Sequence, residues 1–243
     1  MAITLGVTSP VNGFEGSTAK DAARALGPDV ELISEQVGVK MLTVDGYADA
    51  IERVGAAAQQ LVDRGASAIM IGGTSLTFFR GHEFHNELLA SVAGATGVPV
   101  SSTSQALVEA LRAVGGRRLA VATAYTETVS ELLRGFLEEI GFEFLSLHSM
   151  GFEQTGIAGT VSTEGIVDFS RQAFEEAPSA DCVLISCAGL RTLDATVPLE
   201  ELCGVPAVSS YQATIWGLAK LAGVQPRPGF GRLMDAALAA AAS

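Results

Sequence analysis

Cysteine is scarce in this chain: three in 243 residues, at 182, 187 and 203. They make no even disulfide set, and none stands in a CxxC spacing. That argues against a disulfide-stapled fold and predicts a reducing, cytoplasmic setting. Basic residues are also few, 15 Lys and Arg against 27 Asp and Glu, for a net charge of −12. A surface of that sign repels phosphate backbones and anionic lipid heads, so neither nucleic acid nor a membrane surface is expected as a partner. The chain lacks an apolar run of the roughly 20 residues that span a bilayer. Its opening MAITLGVTSP has neither a basic lead nor a signal-length apolar core. The stretch GFEGSTAKD has no GxGxxG or Walker spacing, so a nucleotide fingerprint is missing too. What the chain does have is 48% hydrophobic and 17% charged residues, ample for one large domain or two of about 120 residues.

Short apolar runs alternate with helix-period segments. The runs predict strands over 2–7, 30–33, 66–72, 98–102, 118–124, 143–148, 181–186 and 205–210. Between them, Tyr47, Ile51, Val54, Ala58 and Leu61 share one helical face, as do Leu132, Leu133, Phe136, Leu137 and Ile140. Pro198 suits a first helical turn, and the C-terminal AALAAAAS reads as a fraying helix end. Apolar strands separated by helices imply parallel sheets covered on both faces. There is also an internal echo: GVPVSSTSQALVEALRAVG (97–115) resembles GVPAVSSYQATIWGLAKLAG (204–223), and ASAIMIGGTS (66–75) parallels SADCVLISCAG (179–189). The expectation is two similar Rossmann-like α/β lobes related by a pseudo-two-fold axis. Each would hold a mainly parallel four-stranded sheet flanked by helices, the first lobe taking about 1–115 and 220–243, the second about 116–219. Ligands bind outside the carboxyl ends of such strands, so the site is expected in a cleft between the lobes.

Three strand ends carry polar groups that a core does not need. In GGTSLTFFRG (72–81), Gly72 and Gly73 allow a close backbone approach, and Thr74 and Ser75 offer hydroxyls and free N–H groups. The plainer reading is an N-cap pair on an ordinary loop. In ATAYTETV (122–129), Tyr125 either presents its phenol to the cleft or packs at a helix entrance. In CVLISCAGLRT (182–192), Cys187 ends an apolar run beside Ala188 and Gly189, where its thiol can face a substrate as proton donor or nucleophile. Cys182 and Cys203 read as inert core thiols. His82 and His85 in HEFH lack the further ligands a metal site needs and read as surface or packing residues of a helix. Arg191 reads as a surface ion-pair residue ahead of a carboxylate contact, and Asp194 as a helix-start residue.

At these positions the sequence resembles the arylmalonate decarboxylase branch of the aspartate/glutamate racemase and maleate isomerase superfamily. GTSLTFFRG, RRLAVATAYTETV, LISCAGLRTLDA, GVPAVSS and RPGFGRL follow that branch's motifs in order, through most of the chain, while SSYQATIW is similar to the maleate isomerase side. The resemblance implies a two-lobed α/β enzyme with no metal or organic cofactor. Racemases and maleate isomerases of the superfamily place a cysteine at each of two facing strand ends. Here Cys187 holds the second position and Gly73 the first, which disfavours both two-thiol chemistries. The resemblance further implies that Thr74, Ser75 and Tyr125, with the backbone at Ser75, Ala188 and its neighbours Gly73 and Gly189, hold one carboxylate. Cys187 would deliver a proton. Pro10, Val39, Leu42, Tyr47, Leu76, Thr155 and Ala158 would line an apolar pocket; Thr155 and Ala158 are smaller or more polar than the branch's pattern. The implied reaction is cofactor-independent decarboxylation of a 2-substituted aryl- or alkylmalonate, a small dicarboxylate. The thiol would protonate an enediolate stereoselectively. The alternatives are a maleate isomerase-like or Asp/Glu/hydantoin racemase-like isomerase of the same superfamily, and a non-catalytic small-acid binding protein. Nothing in these residues fixes an oligomeric state.

Overall fold

All eight apolar runs become strands: β1 (Ile3–Ser9), β2 (Val30–Gln36), β3 (Ile69–Ile71), β4 (Val100–Ser102), β5 (Arg118–Thr123), β6 (Glu143–Ser149), β7 (Cys182–Ser186) and β8 (Ala207–Ser209). The computed structural model describes residues 2–11 and 17–235. The alanine-rich end expected to fray as a helix, 236–243, lies outside them, as does that part of the first lobe as drawn from sequence. Ten helices alternate with the strands among the described residues: α1 (Ser17–Leu26), α2 (Val44–Ile51), α3 (Val54–Asp63), α4 (Thr74–Phe78), α5 (Gly81–Thr96), α6 (Thr103–Ala113), α7 (Glu127–Glu138), α8 (Thr163–Glu176), α9 (Thr196–Cys203) and α10 (Ser210–Ala222).

The strands form two four-stranded sheets of the same order, β2-β1-β3-β4 and β6-β5-β7-β8. Every strand pairing in them is parallel. The central strands β3 and β7 are buried along their whole length, and the outer strands β2 and β6 are only half-buried. Helices covering both faces of a parallel sheet leave this pattern, in which the middle strands read as unbroken apolar runs.

The internal echo is the junction of the two sheets. It corresponds to β4–α6 and β8–α10, and α6 packs on α10. Ser102 caps α6 by accepting from the Gln105 N–H, and Ser209 caps α10 by accepting from the Gln212 N–H, both at 3.0 Å. The helices meet closely because Gly217 has no side chain; a Cβ there would lie 2.8 Å from the Ala106 Cβ. Thr214 Oγ1 donates to Thr103 Oγ1 across the contact, at 3.1 Å.

Some expectations are corrected. The apolar face from Tyr47 to Leu61 is buried throughout but belongs to two helices. At the break the Arg53 N–H bonds the Ala50 carbonyl three residues back, at 3.1 Å, and the Arg53 guanidinium donates to the carbonyl oxygens of Val37 and Gly38. Cys182 is fully buried, whereas Cys203, last residue of α9, is only partly so. Asp194 precedes the cap of α9, which is Ala195, and pairs instead with Arg24 at 2.7 Å. Pro198 sits in the first turn of α9, where a missing N–H costs no intrahelical bond. Among the described residues no helix is long and apolar enough to cross a membrane.

Candidate active site

Because the two sheets share one order, equivalent strands end at equivalent places. β1 and β5 run into Pro10 and Tyr125; β3 and β7 run into Gly73-Thr74 and Cys187-Ala188. A backbone bond joins each pair of ends, in opposite senses: the Gly72 N–H, after β3, donates to the Thr8 carbonyl of β1 at 2.8 Å, whereas the Ala124 N–H, after β5, donates to the Ser186 carbonyl of β7 at 3.2 Å. These ends surround a cavity of about 330 Å³. An isolated antiparallel bridge between Met41 and Gln154, with the Leu42 N–H donating to the Glu153 carbonyl at 2.8 Å, ties segments from the two halves beside it.

The cavity brings together the sequence-predicted residues: Cys187, Ala188 and Gly189 from one side, Gly73, Thr74, Ser75 and Leu76 from the other, with Tyr125, Pro10, Val39, Leu42, Tyr47, Thr155 and Ala158. It also takes in residues that the sequence did not flag, among them Thr8, Thr103, Tyr211 and Thr214. Arg191 lines it as well, while also meeting Asp21 at 3.5 Å, so the surface ion pair accounts for only part of its position. His82 and His85 stay outside. His85 is buried against Phe136 and bonds Ser102 Oγ at 2.8 Å, a packing role. No group of three or more His, Cys, Asp or Glu among the described residues could hold a metal.

Thr74 is held by its backbone. Its carbonyl lies 3.0 Å from both Thr77 Oγ1 and Ser104 Oγ, which are 2.7 Å apart, so one hydroxyl can donate to the carbonyl while the other donates to its neighbour. Its own hydroxyl, by contrast, is buried and lies toward the Tyr125 phenol without a bond of acceptable geometry, and those of Tyr47 and Thr8 are likewise buried with no partner. The Tyr47 hydroxyl lies toward Ser75 but makes no bond of acceptable geometry. Each such orphan costs about 1–3 kcal/mol, and all three residues line the cavity. The first intrahelical bond of α4 is Thr77 N–H to the Gly73 carbonyl, so the N–H groups of Thr74 and Ser75 precede the helical ladder. The Tyr125 ring stands edge-on to Phe78 at 5.9 Å, and its hydroxyl meets Ser186 Oγ at 3.4 Å.

Cys187 is 8% exposed and is the one non-glycine residue with positive φ, 147°, among the described residues. Backbone strain of this kind concentrates at functional sites. Burial pushes its thiol up from the ordinary value, offset in part by the Gly189 and Leu190 N–H groups and the Tyr125 phenol. Burial also holds the Tyr125 phenol well up, and the neighbouring Cys187 sulfur adds to it. Near neutral pH the site therefore presents a protonated thiol and neutral hydroxyls. Gly73 has φ 92°, and a Cβ there would stand 2.5 Å from the Pro10 Cγ. Gly73→Ala is accordingly expected to destabilise the fold by about 1–3 kcal/mol through strain, read from the denaturant midpoint. A midpoint equal to the parent's would show that the Pro10 segment yields freely.

The family model of arylmalonate decarboxylase matches residues 9–234. An arylmalonate decarboxylase from Bordetella bronchiseptica is 40% identical over 234 residues, 96% of each chain. A crystal structure of a doubly substituted arylmalonate decarboxylase in a liganded form superposes with a TM-score of 0.92 at 38% identity, covering 96% of this chain and 99% of that one. The maleate isomerase Iso from Pseudomonas putida S16 shares the fold, with a TM-score of 0.89 at 18% identity over 98% of this chain and 100% of that one.

Proposed function

We propose, from the premise that this chain belongs to the arylmalonate decarboxylase family, a mechanism for a carboxy-lyase that acts on a 2-substituted malonate without a cofactor. The observation that carries it is the set of unpartnered buried hydroxyls at Thr74, Tyr47 and Thr8 in one cavity with a thiol that burial keeps protonated. The isomerase alternative has less support, since maleate isomerases match this chain at 22–28% identity against 40% for the decarboxylase, and Gly73 stands where that chemistry needs a thiol.

A malonate carries two carboxylates on one carbon. When the bond to one of them breaks, CO₂ leaves and the electron pair spreads onto the other as an enediolate. That growing charge is the barrier. The hydroxyls of Thr74, Ser75 and Tyr125, with the N–H groups of Ser75 and Ala188, are aimed at it, and each preaimed donor contributes about 3 kcal/mol. The departing carboxylate lies against Pro10, Val39, Leu42 and Leu76. Stripped of water there, it rises in energy, whereas neutral CO₂ loses nothing. The Cys187 thiol then transfers its proton to one face of the α-carbon, giving a single enantiomer, and the thiolate regains a proton from solvent.

The reading is tested by CO₂ release and product handedness across a panel of 2-substituted malonates. Its pH dependence has a fixed sign. The active form is the thiol, and burial places its pKa above the ordinary value. Activity should stay level through neutral pH and fall tenfold per unit once pH exceeds that raised pKa. A rate that switches on with rising pH would mean a thiolate nucleophile and overturn the mechanism.

A further inference from the structure

Resting on the decarboxylase reading, we propose that Arg191 binds an anionic group at the far end of the substrate's 2-substituent. The preferred substrates would then be malonates bearing a third carboxylate, ahead of plain aryl or alkyl malonates. Among the described residues that line the 330 Å³ cavity, Arg191 is the one with a charged side chain. It also borders a second, polar cavity of about 160 Å³, lined in part by Asp21, Ser162, Thr163 and Asp194, so it stands in the partition between the two.

Its anchor there is weak. Arg191 Nη2 reaches Asp21 Oδ2 at 3.5 Å, beyond the usual range for such a bond. Asp21 does not depend on it: the Tyr211 hydroxyl donates to the same oxygen at 3.2 Å and Arg24 to the other at 3.1 Å. Arg24 also neutralises Asp194, at 2.7 Å. A guanidinium has five N–H donors in a planar fork suited to a carboxylate; this one spends a single long contact on Asp21 and a longer-range attraction on Asp194. An incoming carboxylate can take it while Asp21 keeps two partners.

Chemistry decides which carboxylate that is. A cation on the departing group would stabilise the substrate more than the transition state, from which that charge is lost, and so would slow the reaction. The retained carboxylate already faces the neutral donors at Thr74, Ser75 and Tyr125. The end of the substituent remains. The cavity wall leaves room for it at Gly156, where an added Cβ would meet nothing within 4 Å. Gly159 and Thr155 continue that wall without bulk.

The test compares kcat/KM for (4-carboxyphenyl)malonate and phenylmalonate in the parent, Arg191→Leu and Arg191→Lys. The parent should favour the tricarboxylate. Arg191→Leu should lower the ratio roughly 10- to 100-fold, the worth of a charge-assisted hydrogen bond, chiefly through KM, and Arg191→Lys should restore part of it. An unchanged ratio overturns the proposal, as does a higher kcat on both substrates in Arg191→Leu, which would place the cation on the departing carboxylate. Calorimetric affinities for (4-carboxyphenyl)acetate and phenylacetate are measured alongside. If no malonate releases CO₂, the decarboxylase reading fails by itself, and the affinity ratio across the three variants still decides the role of Arg191.

Discussion

Cys187→Ser is expected to lower kcat by about 10²–10⁴-fold, the usual worth of a positioned general acid, while leaving the fold intact. Serine fits the space, but its hydroxyl is a far weaker acid than the thiol, so the enediolate must wait for a poorer donor or collapse back with CO₂. The residual product should lose enantiomeric purity as solvent protonates both faces. Activity is read as CO₂ release, handedness by chiral chromatography and integrity by thermal unfolding. Parental kcat together with parental handedness would remove Cys187 from the mechanism. Parental CO₂ release with a racemic product would keep it as donor and move it behind the slow step. The strained backbone, φ 147° at this residue, fits a position selected for where it aims its sulfur rather than for ease of folding.

The strands were legible because parallel strands covered on both faces read as continuous apolar runs, and glycine, serine or proline ends them. The candidate site was legible for a related reason: a core does not require the hydroxyl, phenol or thiol placed just beyond such a run, as at Thr74, Tyr125 and Cys187, even though the Tyr125 ring also packs on Phe78. Other features depend on distant partners. The Arg53 guanidinium at the junction of α2 and α3 reaches Val37 and Gly38, contacts that the 47–61 pattern does not encode. Arg191 borders the cavity through a cluster whose centre, Asp21, is 170 residues away in the chain. Thr8 lies within β1, and threonine is ordinary in a strand; only its unpartnered hydroxyl in the folded chain sets it apart.

Thr74→Val is expected to act in opposite directions on fold and function. Valine keeps the shape and removes a buried hydroxyl that has no partner. The folded protein should therefore gain stability, by about 1–3 kcal/mol if the full penalty of the orphan is relieved. In the proposed mechanism the same hydroxyl donates to the charge that builds on the retained carboxylate, and losing one such donor should lower kcat by about 10²–10³-fold. Ser170 supplies the control. Its hydroxyl is also buried and unpartnered, but it lies on α8 and does not line the cavity. Ser170→Ala should gain stability with kcat unchanged. Denaturant midpoints and CO₂ release on all three proteins separate the cases. If Thr74→Val is destabilised, the hydroxyl has a structural partner after all; if its kcat matches the parent's, the charge builds elsewhere. A more stable, nearly inactive Thr74→Val beside a more stable, fully active Ser170→Ala would mean that the orphan at Thr74 is kept unsatisfied for the substrate to complete.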